Sequence, residues 1–439
     1  MPGKINQLVI CLIAVASIVI LTCVSQLFKV LSNNNETNSQ YSWFIRLTDN
    51  LFGYLIIIIP GYLILKYVQL TNYIDVAATG VIPGLIRRCF AEPPPPHELL
   101  DGSATKSGLS SSRTALKLTF CVVGLLVAYL TWGFLQEKVM TKEYVDILGN
   151  TGKFKDSQFL VFVNRILAFL IAAIYLTFST DHGKRTLPMY KYMLCSLSNI
   201  LSSFCQYEAL KYVTFPLQVL AKASKVIPVM IMGKCISRKK YDNYEYITAV
   251  MISLGMALFL LGQEHQQVSG KHAAETTLPG VILLLGYLLC DSFTSNWQGQ
   301  LFTQYKVSSM QMMLGVNMFS CLLTSTSLLE QGAFRTAFDF MSQYPNFIVD
   351  CLVLSVCSAV GQLFIFYTIS EFGAVTFVII MTVRQGLAIL LSCIYYGHDI
   401  HLMGSSGVAI VFIAVFLRIY CSYRLKQLRQ RKQQQASTV

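Results

Sequence analysis

The chain is dominated by apolar runs long enough to cross a lipid bilayer. A helical span needs about 20 mainly apolar residues, and 54% of the 439 residues are hydrophobic while only 13% are charged. We predict spans near residues 6–31, 49–69, 115–135, 158–178, 192–212, 215–235, 243–262, 278–297, 308–329, 347–369, 373–396 and 402–420. Because the runs are continuous and do not alternate with polar residues, they predict helices and not a β-barrel. The sequence therefore predicts an all-α polytopic membrane protein.

The basic residues predict the orientation of these spans, since cytoplasmic loops collect Lys and Arg. A cytosolic N-terminus places three basic segments in the cytosol: Lys184, Arg185 and Lys191; Arg238, Lys239 and Lys240; and Arg424, Lys426, Arg429, Arg431 and Lys432. The same orientation places the sequon Asn35-Glu36-Thr37 in the lumen, where Asn35 is a predicted glycosylation site. The net charge of +12 is thus explained by topology. Nucleic-acid binding is not expected, because the cations are divided among short loops.

The first apolar run allows two interpretations. It is longer than the apolar region of a signal peptide and lacks a clean small-residue cleavage site, which favours a retained span. Both termini are then cytosolic. Cleavage as a signal peptide is the alternative, and it leaves the later topology unchanged.

Spans and loops predict five regions along the chain. An N-terminal extension, 1–69, holds two spans and a lumenal loop. A cytosolic linker rich in Pro, Ser and Gly, 70–114, is expected to be extended or disordered. Two groups of five helices follow, at 115–262 and 278–422, and a basic cytosolic tail covers 423–439. Because five is odd, the second group enters the membrane from the opposite side. We therefore predict two inverted repeats, with a binding site near the midplane.

Three of the cations inside predicted spans indicate ligand binding. Lys222 and Lys225 are three residues apart and leave the same face of a helix, and Arg384 lies in the middle of the 373–396 span. Each costs about 2.5–3.5 kcal/mol at the bilayer centre, and few carboxylates lie within spans to neutralise them. The pattern predicts a water-filled cavity that binds an anionic, phosphorylated or sulfated solute.

Polar residues at helical spacing predict walls for this cavity. They form three stripes: Ser196, Asn199, Ser203 and Gln206; Cys351, Ser355, Ser358 and Gln362; and Tyr129, Trp132 and Gln136. Hydrogen bonding between helices is the alternative interpretation of each stripe, and Trp132 also suits an interfacial anchor. Pro228 removes a backbone donor just after Lys225 and predicts a kink there.

Other charged residues within spans, and other classes of function, allow further interpretations. Arg165, Glu208 and Asp291 also fall within spans, where an internal salt bridge such as Arg165 with Glu208 is an alternative to ligand contact. A membrane enzyme would need acid–base, nucleophilic or metal-binding groups. No such constellation of His, Cys or Asp is found, so no catalytic residue, metal or cofactor is expected. A receptor or scaffold would leave the buried cations unexplained.

Four segments carry a resemblance to a known family. QYEALKYVTFPLQVLAKASKVIPVMIMGK, LLCDSFTSNWQ, SSMQMMLGVN and FGAVTFVIIMTVRQGLAILLSCIYYGH resemble the nucleotide-sugar transporter family of the Golgi and endoplasmic reticulum, over roughly residues 115–422. Within it they look closest to the carriers of 3′-phosphoadenosine 5′-phosphosulfate (PAPS). UDP-sugar carriers and ATP/ADP exchangers of the same family are the alternatives.

The resemblance implies a drug/metabolite transporter-like core of ten helices and residence in the Golgi membrane, among its lipids. It implies a non-enzymatic antiporter that imports PAPS for lumenal sulfotransferases in exchange for an adenosine phosphate, and it leaves a homodimer open. In related carriers the corresponding basic residues bind phosphate, which carries over to Lys222, Lys225 and Arg384. Gln385 stands where some relatives have a second basic residue.

The residue types suggest how such a substrate would be held. The three cations would bind its phosphate and sulfate oxygens, with Arg384 as a bidentate fork. Tyr129 or Trp132 would stack on adenine, and Asn199 or Gln206 would hydrogen-bond the base or ribose.

Overall fold

The computed structural model describes residues 2–33, 42–73, 81–90, 111–146, 151–154, 157–179, 187–209, 212–213, 218, 221–222, 224–267, 278–305, 307–396 and 402–436. The predicted glycosylation site at Asn35 and most of the linker lie outside these residues. Contacts divide the chain into two compact units. Unit 1 comprises Met1–Ile200 and Leu301–Tyr367, and unit 2 comprises Leu201–Gln300 and Thr368–Val439.

The described elements are almost entirely helical. They are α1 (Pro2–Asn33), α2 (Ser42–Leu70), α3 (Val81–Phe90), α4 (Ser111–Thr141), β1 (Tyr144–Val145), β2 (Thr151–Gly152), α5 (Ser157–Phe178), α6 (Tyr190–Ala209), α7 (Val226–Ser237), α8 (Asn243–Gln267), α9 (Leu278–Tyr305), α10 (Ser309–Glu330), α11 (Ala333–Gln343), α12 (Pro345–Phe372), α13 (Ala374–Tyr396) and α14 (Leu402–Ala436). The two strands pair antiparallel, with Tyr144 opposite Gly152.

Eight of these helices are long and apolar enough to cross a membrane. They are α1, α2, α4, α5, α9, α10, α12 and α14, while α7 and the first part of α13 are shorter apolar helices. Large apolar side chains on their outer faces are exposed, as lipid contact requires; Leu12 and Leu27 of α1 are examples. The prediction of an all-α polytopic membrane protein is confirmed.

Unit 1 is held together by polar contacts between its helices. Asn50 Oδ1 of α2 accepts hydrogen bonds from Ser327 Oγ of α10 at 2.8 Å and from Gln158 Nε2 of α5 at 3.5 Å. Ser355 Oγ of α12 donates to Asn164 Oδ1 of α5 at 2.8 Å. In a bundle, such pairs satisfy polar groups that lipid would leave unbonded.

One end of unit 1 is closed by a cluster of aromatic rings. The β1–β2 hairpin, α5, α11 and α12 contribute Tyr144, Phe154, Phe159, Phe340 and Phe347, which pack together. Beside them, Asp350 accepts from Lys142 Nζ at 2.9 Å and from the Tyr144 hydroxyl at 3.2 Å. The cluster thereby packs the hairpin against α5, α11 and α12.

Unit 2 is built around the close crossing of α8 and α14. A Cβ on Gly255 would lie 2.8 Å from the Gly407 carbonyl oxygen, and a Cβ on Gly407 would lie 2.5 Å from the Gly255 carbonyl oxygen. Only glycine permits backbones to approach this closely. Further along the same pair, Arg418 of α14 forms an ion pair with Glu245 of α8 at 3.2 Å.

Four described features differ from the sequence-based expectations. The linker, predicted to be extended or disordered, contains α3, whose Ile86 packs against Ile10 of α1 and Val68 of α2. The β1–β2 hairpin and α11 were not predicted, since both are short. The basic tail is not a separate segment, because α14 continues as a helix to Ala436.

Candidate functional site

The chain around Lys222 and Lys225 does not form the uninterrupted helix predicted for 215–235. Residues 221–222 are helical, 224–225 form a turn, and α7 begins only at Val226. Pro228 has no N–H to donate to the Ser224 carbonyl, which instead accepts from Ile227 N–H at 3.2 Å. Pro228 thus lies in the first turn of α7, where a missing N–H is tolerated, and the predicted kink stays a prediction.

Lys222 and Lys225 lie close together, immediately before and at the start of α7. Lys225 caps the N-terminus of α7 with a right-handed helical backbone, and Lys222 lies one turn before it. The third cation comes from α13, which packs against α7 and carries Arg384 near its middle. Lys222 lies within electrostatic range of both Lys225 and Arg384. Unit 2 thus brings the three predicted cations together.

A carboxylate belongs to the same group. Asp291 Oδ2 of α9 lies 2.5 Å from Lys225 Nζ. Asp291 also lies within electrostatic range of Lys222. The sequence predicts that span-embedded carboxylates are too few to neutralise the three cations. The packing of α9 on α7 supplies one carboxylate, to Lys225. Three positive charges and one negative charge give this group, which we call the cation cluster, a formal charge of +2.

The packing of α9 on α7 has an identifiable anchor. Asn296 Nδ2, five residues after Asp291 on α9, donates to the Val229 carbonyl of α7 at 2.8 Å and to the Ser292 carbonyl at 2.9 Å. Asn296 is almost completely buried. This bond fixes the register of the two helices, and hence the meeting of Asp291 with Lys225.

The other predicted site residues of unit 2 lie on neighbouring elements. Gln385 follows Arg384 on α13 and is partly buried. Gln206, near the end of α6, accepts through its backbone carbonyl from Gln218 Nε2 at 2.8 Å. Gln218 itself is buried, so it connects the end of α6 to the chain that leads to Lys222.

The remaining predicted residues belong to unit 1. Tyr129 and Trp132 of α4 contact each other edge to face, with ring centroids 6.1 Å apart. Trp132 also packs against the aromatic cluster. Asn199 of α6 accepts from Arg165 Nη2 of α5 at 3.0 Å. The predicted wall residue Asn199 therefore has a partner within the protein.

The polar stripes of unit 1 are used for contacts between helices. Ser196 Oγ donates to the Val316 carbonyl of α10 at 2.7 Å, and Gln362 Oε1 accepts from Asn317 Nδ2 at 2.8 Å. This is the alternative interpretation given for each stripe, and it holds for these residues.

The fold and the cation cluster define a class: a polytopic helical membrane protein with a cluster of charged groups between its helices. Comparison with known proteins agrees with this class. The sequence profile of the UAA transporter family matches residues 117–422, and the chain belongs to that family. The resemblance to nucleotide-sugar transporters is thereby confirmed.

Individual relatives are similar over most of the chain. A Drosophila melanogaster protein named adenosine 3′-phospho 5′-phosphosulfate transporter 1 is 46% identical, covering 98% of this chain and 96% of the relative. The Homo sapiens protein of the same name is 51% identical over 88% of this chain and 89% of its own. The Arabidopsis thaliana UDP-galactose/UDP-glucose transporter 5B is 39% identical over 75% of this chain and 92% of its own.

One solved crystal structure shares the fold. It aligns with a TM-score of 0.51 at 12% identity and covers 70% of this chain and 98% of that protein. At this identity the likeness concerns the fold alone.

Proposed function

We propose that the protein is a Golgi antiporter that carries PAPS from the cytosol to the lumen in exchange for an adenosine phosphate. The observation that carries the proposal is the cation cluster of unit 2, in which Lys222 lies within electrostatic range of Lys225 and Arg384. The names of the relatives that are 46% and 51% identical support PAPS as the substrate.

The charge of PAPS suits this cluster. A phosphomonoester carries about −1.5 to −2 near neutral pH, and the phosphosulfate of PAPS adds further negative charge. In our proposal Arg384 binds one anionic group through two parallel N–H donors, while Lys222 and Lys225 act as point charges. A neutral solute would leave the net positive charge of the cluster uncompensated.

The adenosine part requires different chemistry. We propose Tyr129 and Trp132 for stacking on adenine, because flat aromatic faces suit a base. Gln206 and Gln385 are our candidates for hydrogen bonds to the ribose or base. Asn199 is held by Arg165, so its role would be to present its amide in a fixed orientation.

Exchange follows from the charge of the empty carrier. Without substrate, the cluster keeps a net positive charge, and moving that charge through the transport cycle is unfavourable. Binding of an anion on either side lowers this barrier. The product that sulfotransferases leave behind, an adenosine bisphosphate, or the monophosphate derived from it, has the chemistry of a return load.

The proposal includes a topology. Both termini lie in the cytosol, and Asn35 faces the lumen, as the distribution of basic residues predicts. PAPS would then enter from the cytosolic side and leave into the Golgi lumen.

The test is uptake of radiolabelled PAPS by purified protein in liposomes preloaded with adenosine 3′,5′-bisphosphate. We expect uptake that depends on the internal nucleotide and is inhibited by external adenosine bisphosphate but not by UDP-galactose. Absence of PAPS uptake together with uptake of UDP-galactose or ATP would reject PAPS as the substrate.

A UDP-sugar is the second candidate substrate. The 39% identity to a UDP-galactose/UDP-glucose transporter favours it, and a nucleotide diphosphate also suits the cation cluster. The competition arm of the same experiment separates the two substrates.

A further inference from the structure

One cation of the cluster, Lys225, forms an ion pair with a carboxylate of the protein itself, Asp291. The pair formed by Lys225 and Asp291 is close, and their side chains are 13% and 28% exposed. One turn before Asp291 on α9, the buried Tyr287 lies within electrostatic range of both. Asp291 also lies within electrostatic range of Lys222, and among the described residues that interact with Lys222 in this way it is the one that carries a carboxylate.

A bound anion and the Asp291 carboxylate would compete for the ammonium group of Lys225. The Lys225 ammonium offers three N–H donors, but a phosphate or sulfate beside it would also lie close to Asp291. Two like charges at this distance repel each other, more strongly where water is scarce. The Asp291 carboxylate carries a single negative charge, so a multiply charged anion attracts Lys225 more strongly and can take its place.

We propose that Asp291 is an internal substitute for the anionic substrate: it pairs with Lys225 in the empty carrier and is displaced when a phosphate or sulfate group binds Lys225. The inference rests on the proposed function, since it takes the substrate to be an anionic nucleotide. It assigns to Asp291 a positioning role that acts through Lys225.

Two consequences follow for transport. First, substrate must compete with Asp291, which weakens binding and so permits release on the far side. Second, Asp291 keeps the formal charge of the empty cluster at +2 instead of +3. A less positive empty carrier returns more readily, so Asp291 also sets how tightly transport is coupled to exchange.

The test compares Asp291→Asn with the wild type in liposomes. Removing the competing charge is expected to lower the KM for the anionic nucleotide about fivefold, equivalent to about 1 kcal/mol. Maximal exchange is expected to fall because release is slower. Uptake into liposomes that lack internal nucleotide is expected to fall further than exchange, because the empty carrier is more positive.

A matched control is available in the same unit. Glu245 forms an ion pair with Arg418, and these side chains are 19% and 14% exposed. Glu245→Gln removes a carboxylate of similar burial outside the cation cluster. It is expected to lower the melting temperature and leave KM and the exchange-to-uptake ratio unchanged.

Two further variants distinguish the proposed effect of Asp291 on KM from an effect on folding. Asp291→Ser is smaller and retains a hydroxyl for Lys225, so it replaces Asp291→Asn where the amide variant does not fold. In a Lys225→Gln background the Asp291→Asn change is expected to lose most of its effect on KM. A KM that rises or stays constant in folded Asp291 variants would overturn the inference.

The failures of the two proposals are distinguishable when both PAPS and UDP-galactose are used as labelled substrates. If the wild type carries UDP-galactose and not PAPS, the proposed substrate is rejected, while the KM of the Asp291 variants for UDP-galactose still tests the substitute role. If the wild type carries PAPS and Asp291→Asn does not lower its KM, the substitute role alone is rejected.

Discussion

At the scale of single residues, charge inside a membrane segment was the most informative signal. Lys222, Lys225 and Arg384 were identified from the sequence because each is costly in lipid, and unit 2 brings them together. The pairing of Lys225 with Asp291 was not predicted. It depends on how α9 packs on α7 through Asn296, which residue spacing along one helix does not contain.

Arg384 provides a test of how the anion is held. Arg384→Lys keeps the charge but loses the planar pair of donors. A hydrogen bond to a charged group is worth about 1.5–3 kcal/mol, so we expect exchange to fall about tenfold or more. Initial rates of nucleotide exchange in liposomes measure this change.

The matched control for this prediction is Arg418→Lys, which alters the arginine paired with Glu245 in the same unit. It is expected to lower the melting temperature with little effect on exchange. Wild-type exchange by Arg384→Lys would show that the bidentate geometry is not used.

At the scale of helices and strands, long apolar runs were predicted well and short elements were not. The predicted spans correspond to helices in the described part of the chain, apart from the late start of α7 at Val226. α3 and α11 each present one apolar face to a larger helix bundle, and their stability comes from that packing. The Pro-rich surroundings of α3 favoured an extended linker, so its helix could not be recognised locally.

The crossing of α8 and α14 gives a prediction at this scale. Gly407→Val would place a side chain against the backbone of Gly255 and Phe259. Overpacking of this kind costs about 1–3 kcal/mol, and we expect a lower melting temperature and less folded protein. Thermal unfolding in detergent measures it.

Gly133→Ala is the control, because a Cβ at Gly133 meets no atom within 4 Å. We expect its melting temperature to equal that of the wild type or to exceed it slightly, since alanine favours helix. Equal stability of Gly407→Val and the wild type would contradict the close crossing.

At the scale of the whole molecule, the sequence predicted membrane spans but not the compact units. Each unit combines segments from both predicted repeats. Contacts between segments so distant in sequence arise from tertiary packing, which hydropathy does not encode. The inverted repeat therefore stays a prediction.

Topology is a second prediction at this scale. If both termini are cytosolic and Asn35 is lumenal, a glycosidase should increase the electrophoretic mobility of the wild type and not that of Asn35→Gln. A C-terminal tag should be digested by protease added to intact Golgi vesicles. Protection of the tag would reverse the orientation.

The central claim is that the three cations of unit 2 bind the anionic groups of the transported nucleotide. Its most direct measurement is nucleotide exchange by Lys222→Ala, with Lys66→Ala, an exposed cation of α2, as control. Losing one charge-assisted contact is worth about tenfold to a hundredfold in kcat/KM. The account predicts such a loss for Lys222→Ala and wild-type exchange for Lys66→Ala, whereas wild-type exchange by folded Lys222→Ala would contradict it.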